Sequence, residues 1–177
     1  MKKAELLPIL KVLHETGIPF ALAGGYAVAA WGVVRATRDI DFLAAMAPGK
    51  IPELIMKFKK AGFKGKYRPG GEDDPVKGVI GLERAKAEAA EPVEIILGIK
   101  KMPAAIFERV QQVQFFGLDV PVISPEDLIV LKCLAGGPVD LEDARSILAV
   151  MKGRLDMAYL EDELKKRKIR LDKIKNG

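Results

Sequence analysis

The nine residues RATRDIDFL, Arg35 to Leu43, decide how the rest of the chain is read. Taken as a β-strand they alternate between faces, so Arg35, Thr37, Asp39 and Asp41 share one side while Ile40 and Phe42 take the other. Such a strand sets two carboxylates about 7 Å apart on one face while its opposite face is apolar. Like charges at that spacing repel, and Asp is a poor strand former. Neighbouring arginines, open solvent or a cation can each offset the repulsion.

The composition narrows these choices. A chain of 177 residues suits one domain, or one domain with a helical appendage, and can bury a core without staples. With 49% hydrophobic and 30% charged residues it has the balance of an ordinary soluble globular protein. No apolar run reaches the length of a membrane span, so no membrane partner is expected. The opening MKKAELLPILKVLHETG carries charges at helical spacing where a signal peptide has an unbroken apolar segment; the expected location is the cytoplasm. The one cysteine, Cys133, excludes an internal disulfide, and the one histidine, His14, leaves too few soft ligands for zinc. A bound metal would therefore be a hard cation held by oxygen, magnesium first.

The net charge of +5 is concentrated at one end. Residues 165–177, KKRKIRLDKIKNG, hold seven of the 29 basic residues and one of the 24 acidic ones, so residues 1–164 carry −1. A basic tail can hold an RNA backbone, and equally can be a solvated helical face that complements a helix C-terminus.

Leu6, Leu10 and Leu13 predict a helix over 4–15, ended by Gly17 and Pro19. PFALAGG reads as a buried strand running into a glycine turn, and YAVAAWGV as a small helix. After the 35–43 strand, IPELIMKFKKAGF is an amphipathic helix with Pro52 early and Gly62 at its end. Residues 64–75, KGKYRPGGEDDP, read as a loop. VKGVIGL and PVEIILGI are the next strands; the intervening ERAKAEAAE, 83–91, fits either a helix or an extended connection. AAIFERV predicts a short helix and QVQFFGLDVPVI a hairpin turning near Gly117. SPEDLIVLKCLAG predicts a helix capped by Ser124, with Pro125 in its first turn, Asp127 completing a capping box and Gly136 at its end. Helices over 139–152 and 156–174 follow. Strands dominate up to residue 123 and helices follow, an order that favours an α+β fold with a 1–123 core and a 124–177 helical segment packed on it.

Chemistry concentrates where AGGYAVAAWG precedes DID by 14 residues, counted from Gly25. A glycine pair between strand and helix lets the backbone approach a ligand, and a helix start offers N–H groups to a phosphate. Two carboxylates on the next strand supply hard oxygen ligands for magnesium, which in phosphate chemistry bridges acids and substrate phosphates. Together they describe a site for a metal-bound nucleoside triphosphate.

The stretch GGYAVAAWGVVRATRDIDFL resembles the opening motif of the polymerase-β-like nucleotidyltransferase superfamily, in which Gly-Gly or Gly-Ser precedes Asp-x-Asp. With SPEDLIVLKCLAGGPVDLEDARSIL downstream, it is similar to the bacterial and archaeal branch that includes abortive-infection type toxin nucleotidyltransferases, over roughly residues 18–150. The resemblance implies a nucleotidyltransferase fold, a mixed β-sheet flanked by helices. It implies that Gly24 and Gly25 contact the nucleotide phosphates and that Asp39 and Asp41 bind magnesium, two ions in all, with manganese as a substitute. Glu94 in PVEIIL matches a third metal-binding, catalytic carboxylate, where the superfamily more commonly has Asp. Lys132 matches a lysine directed at the triphosphate, and Asp140 or Asp143 a downstream acid of the same motif. Arg35 and Thr37, on the metal face, are further candidates for binding the nucleotide, whereas Arg38 faces the other way and is expected in a structural pair. Tyr26 and Trp31 are expected in the core.

The implied reaction moves a nucleoside monophosphate from a triphosphate to an acceptor hydroxyl on an RNA end, a protein or a small molecule, releasing pyrophosphate. The alternative is a catalytically silent relative acting as a binding or regulatory partner of another protein, as in a toxin–antitoxin pair.

Overall fold

The computed structural model describes residues 3–84 and 91–175. Helix α1 (Lys3–Thr16) buries Leu6, Leu10 and Leu13 on one side and ends at Gly17. Pro8 lies inside it and has no N–H to give the Ala4 carbonyl one turn back. The Arg84 guanidinium donates to that carbonyl instead, at 2.7 Å, which ties the helix to the sheet.

The fully buried β1 (Phe20–Ala23) leads into α2 (Gly24–Ala30), and β2 (Ile40–Ala44) returns antiparallel to β1. Next come α3 (Ile51–Lys60), β3 (Phe63–Pro69), β4 (Gly78–Arg84) and β5 (Val93–Ile96). The hairpin of β6 (Gln111–Phe115) and β7 (Leu118–Val122) turns on Phe116 and Gly117, both at positive φ, as a two-residue hairpin turn requires. The four last helices are α4 (Pro125–Ala135), α5 (Pro138–Val150), α6 (Met157–Lys166) and α7 (Leu171–Lys175).

The strands form one sheet in the order β3-β4-β5-β2-β1-β7-β6. β2 runs parallel to β5 and β1 parallel to β7, whereas β1–β2, β3–β4, β4–β5 and β6–β7 are antiparallel. The fold is therefore α+β, a mixed sheet flanked by helices and followed by a helical C-terminal segment. One contiguous apolar core takes in Leu13, Phe42 and Phe58 as well as Leu128, Ile129 and Leu160 of the late helices.

Five expectations are corrected. The strand expected over 35–43 begins only at Ile40, because its pairings with β1 and β5 end at Asp41 and Ile40. Residues 33–38 keep the alternation of half-buried and exposed side chains outside the sheet. The glycines expected to form a turn before a helix at Tyr26 are themselves the first residues of α2. Residues 64–69 are not loop but the edge strand β3, completed by hydrogen bonding to β4; its exposed Lys and Arg side chains are typical of a protected edge. The 104–110 segment closes turns, Ile106 onto Pro103 and Arg109 onto Ala105, but makes no helix. There Arg109 is drawn to Glu126, at 3.2 Å, and lies over the Tyr159 ring. The last helix is interrupted between α6 and α7, where Lys168 takes φ +60. Of the 83–91 connection, residues 83 and 84 belong to β4 and 85–90 lie outside the described residues.

Candidate active site

Asp41 sits mid-sheet with Ala23 opposite on β1 and Glu94 opposite on β5. Facing residues on neighbouring strands share a side of the sheet, so the two acids project together. Gly24 follows Ala23 at φ +58, and a Cβ there would lie 1.9 Å from Asp41 Oδ2. The carboxylate therefore rests against bare backbone, in space that only glycine leaves open. Gly25 does the same for the approach to β2: a Cβ would fall 2.5 Å from Thr37 Oγ1 and 3.3 Å from Arg35 Cζ. The glycine pair and the RATRDID run are thus packed into one another.

Behind this pair lies a charged brace. Lys132 of α4 donates to Asp140 and to Asp143 of α5, each at 2.8 Å, and Arg35 also donates to Asp143. The Asp143 side chain is only 7% exposed and that of Lys132 12%, so each ion is held by its partner rather than by water. The Asp41 carboxyl is pushed up to about 6, first by burial, then by the negative charges of Glu94 and Asp39; Lys132 and Arg35 pull the other way. Asp39 itself is exposed, near enough to Asp41 for its charge to raise that carboxyl.

Gly24, Gly25, Arg35, Thr37, Asp39, Asp41, Glu94 and Lys132 are therefore neighbours in space, although they span 109 positions of sequence from the first to the last. Asp140 and Asp143 serve here as counter-ions that fix Arg35 and Lys132. Arg38 is exposed and, among the described residues, makes no ion pair, against the structural pair expected of it. Tyr26 is buried and donates to Glu91, and Trp31 donates from Nε1 to the Ile123 carbonyl, both in structural positions. Sequence reasoning missed Lys64, Lys66 and Arg68, which β3 carries onto the face of Glu94. Their spacing at every second residue was the available signal, masked by the surrounding glycines and prolines.

A family model described as nucleotidyltransferase of unknown function, DUF6036, matches residues 9–175. The chain belongs to that family. No curated protein matches it by sequence. Among solved structures, this nucleotidyltransferase family member is similar to ANT(2″)-Ia in complex with adenylyl-2″-tobramycin, with TM-score 0.62 and 18% identity over 92% of this chain and 96% of that one. It is similar to the lincosamide antibiotic adenylyltransferase LnuA bound to lincomycin, with TM-score 0.55 and 18% identity over 85% and 98%. An antigenic nucleotidyltransferase-like protein from Paracoccidioides brasiliensis gives TM-score 0.57 and 16% identity over 95% and 91%. At such identities the likeness establishes the fold alone, a nucleotidyltransferase fold in accord with the family match.

Among the described residues no three His, Cys, Asp or Glu side chains converge as a ready-made metal cluster. The donor set nevertheless fits a hard divalent cation. Asp41, Glu94 and Asp39 are oxygen donors, and burial together with the charges of Glu94 and Asp39 already raises the Asp41 carboxyl. Magnesium is commonly held by one or two carboxylates together with substrate phosphates rather than by an all-protein cage.

Proposed function

We propose that this protein transfers a nucleoside monophosphate from a nucleoside triphosphate to an acceptor hydroxyl. The observation that carries the reading is the seating of the Asp41 carboxylate against Gly24, beside Glu94 and facing Lys132 and Arg35. A surplus of carboxylate and two anchored cations converge there, as a metal-bound polyphosphate requires.

Asp41 and Asp39, with Glu94, would hold magnesium or manganese, which supplies charge neutralisation at the phosphates during transfer. Gly24 and Gly25 admit the Asp41 carboxylate and the Thr37 and Arg35 side chains against the first turn of α2, which would set these groups beside the phosphates. Lys132 and Arg35, fixed by Asp143, offset negative charge on the β- and γ-phosphates, and Thr37 has a hydroxyl beside Gly25 to donate to them. In the reaction the acceptor oxygen attacks the α-phosphorus, the bond from that phosphorus to the bridging β-oxygen breaks, and pyrophosphate leaves. The acceptor proton passes to a carboxylate of the site, for which Glu94 stands beside Asp41. In-line positioning and charge complementarity are asked to supply most of the rate.

A hydroxyl on a small molecule is the acceptor class supported by the named antibiotic adenylyltransferases of the same fold. The toxin-like branch and a cytoplasmic location remain parts of this proposal, carried by the motif and by the absence, among the described residues, of a helix long and apolar enough to cross a membrane. An RNA contact through the tail has weaker support. Lys166 pairs with Asp162 and Glu163, Arg167 with Glu163, and Arg170 with Asp172, which offsets three of the tail's seven positive charges.

The test is incubation of the purified protein with each α-labelled triphosphate, magnesium and cell extract, followed by a search for label on RNA, protein and small molecules. Transfer that disappears in Asp39→Asn and Asp41→Asn is the expected result. Full activity in the double variant overturns the mechanism, and no magnesium-dependent triphosphate binding together with a stable complex with another protein favours the silent regulatory reading.

A further inference from the structure

Strand β3 continues the row of acids to the sheet edge. Lys66 faces Gly81 on β4, Gly81 faces Glu94 on β5, and Glu94 faces Asp41 on β2. Residues directly opposite one another share a face, so Lys66, Glu94 and Asp41 project to the same side. β3 and β5 are two strand spacings apart, about 10 Å. Between them Gly81 presents no side chain, and a Cβ there would meet nothing nearer than the Lys66 carbonyl oxygen at 4.0 Å. The result is a groove of about 570 Å³ whose lining includes Lys64, Lys66, Arg68, Gly81, Glu83 and Glu94. That volume is in the range of small-molecule sites.

The charge of this groove differs from that of the acid row it adjoins. Lys64, Lys66 and Arg68 alternate with Gly65 and Tyr67, which sets three cations on the groove face at intervals of about 7 Å. All three are exposed, and among the described residues none has a carboxylate within ion-pair distance, whereas Arg35 and Lys132 are both bound to Asp143. Glu83 stands opposite Lys64 and offsets part of its charge, but Lys66 and Arg68 face Gly81 and Val79, which carry none. One end of the groove is thus positive and free to bind, and the other ends at the Glu94 carboxylate.

We propose that this groove is the acceptor subsite and that its acceptor carries phosphate as well as the hydroxyl to be modified. This rests on the nucleotidyl-transfer reading above and names the substrate class for it. Phosphate on the β3 cations would hold the acceptor about two strand spacings from Glu94, leaving its hydroxyl end toward the acids. A polycationic acceptor such as the tobramycin moiety found with ANT(2″)-Ia would be repelled by the same three side chains. A phosphorylated sugar and the end of an RNA strand both offer the required chemistry.

The test uses the full-length protein saturated with a non-hydrolysable triphosphate analogue and magnesium, so that the nucleotide site is filled. Binding of a short fluorescein-labelled single-stranded RNA is followed by anisotropy, and binding of ribose 5-phosphate and of tobramycin by calorimetry. The wild type is compared with Lys64→Ala/Lys66→Ala/Arg68→Ala, whose three positions are exposed on an edge strand. At least one anion should bind the wild type, tobramycin should not, and the variant should bind that anion about tenfold more weakly or worse. For RNA, the slope of log affinity against log salt should also fall by about 2. Triphosphate binding should be equal in both proteins. Equal anion binding by wild type and variant overturns the proposal, as does binding of tobramycin but neither anion. If neither anion binds while the triphosphate does, the acceptor proposal fails and nucleotidyl transfer stands. If the wild type binds no triphosphate, it is nucleotidyl transfer that fails.

Discussion

Gly24 and Asp41 show how closely the site is fitted at the scale of single residues. Ala at position 24 would combine a strained positive φ with a methyl group 1.9 Å from the Asp41 carboxylate oxygen. Gly24→Ala is expected to destabilise the protein by about 1–3 kcal/mol and to abolish triphosphate binding, measured by thermal unfolding and calorimetry. Asp41 makes a prediction of the opposite sign for stability. Burial, then the charges of Glu94 and Asp39, push its carboxyl up to about 6 from an ordinary 3.8, so folding favours the protonated form. Stability on this account is greatest below pH 4 and declines as the pH rises through 6. Asp41→Asn removes the decline. At pH 7–8, without added metal, it should be more stable than wild type by up to about 3 kcal/mol, the gain vanishing near pH 4. Equal stability of the two proteins across that range would show that neither burial nor the neighbouring acids raise the Asp41 carboxyl.

At the scale of elements, β2 is shared between the site and the core. Asp41 takes one face, while the fully buried Phe42 takes the other and meets Phe20 edge-to-face at 6.0 Å between ring centres. Phe42→Ala should cost about 3–5 kcal/mol in chemical denaturation, through lost burial and the cavity left behind. The start of α4 depends on Ser124, whose Oγ accepts from the Asp127 N–H at 3.1 Å and donates to the Asp127 carboxylate at 2.9 Å. Both are buried, so Ser124→Ala should cost about 1–2 kcal/mol, read from the denaturation midpoint at unchanged slope. Since α4 carries Lys132, loosening its first turn should also weaken triphosphate binding.

The whole molecule joins its late helices to the early strands through the same polar and apolar contacts. Asp143 of α5 holds Arg35 from the approach to β2, and Ile174 of α7 is buried while its carbonyl accepts from Arg145 at 2.9 Å. Helix α7 is consequently a packed part of the fold. Ile174→Ala should lower stability by about 2–4 kcal/mol, seen as a reduced melting temperature. A tail that served only as a charged extension would show no change.

Local pattern was enough to place α1, α3, α4 and the β6–β7 hairpin, because each carries its own periodicity and its own stop residue: Gly17, Gly62, Gly136 and Gly117. The Gly-Gly and Asp-x-Asp motif likewise marked the position of the proposed site, since the glycines and the acids are close in sequence and pack against one another. Tertiary structure alone decided the rest. Residues 64–69 look like a loop until β4 supplies hydrogen-bonding partners, and 104–110 look helical until Arg109 is claimed by Glu126. The elevated Asp41 carboxyl, the bracing of Arg35 and Lys132 by Asp143, and the cations of β3 beside Glu94 all depend on strand order and on contacts across long sequence separations. Burial and charge proximity are properties of the packed sheet, and no local run of residues encodes them.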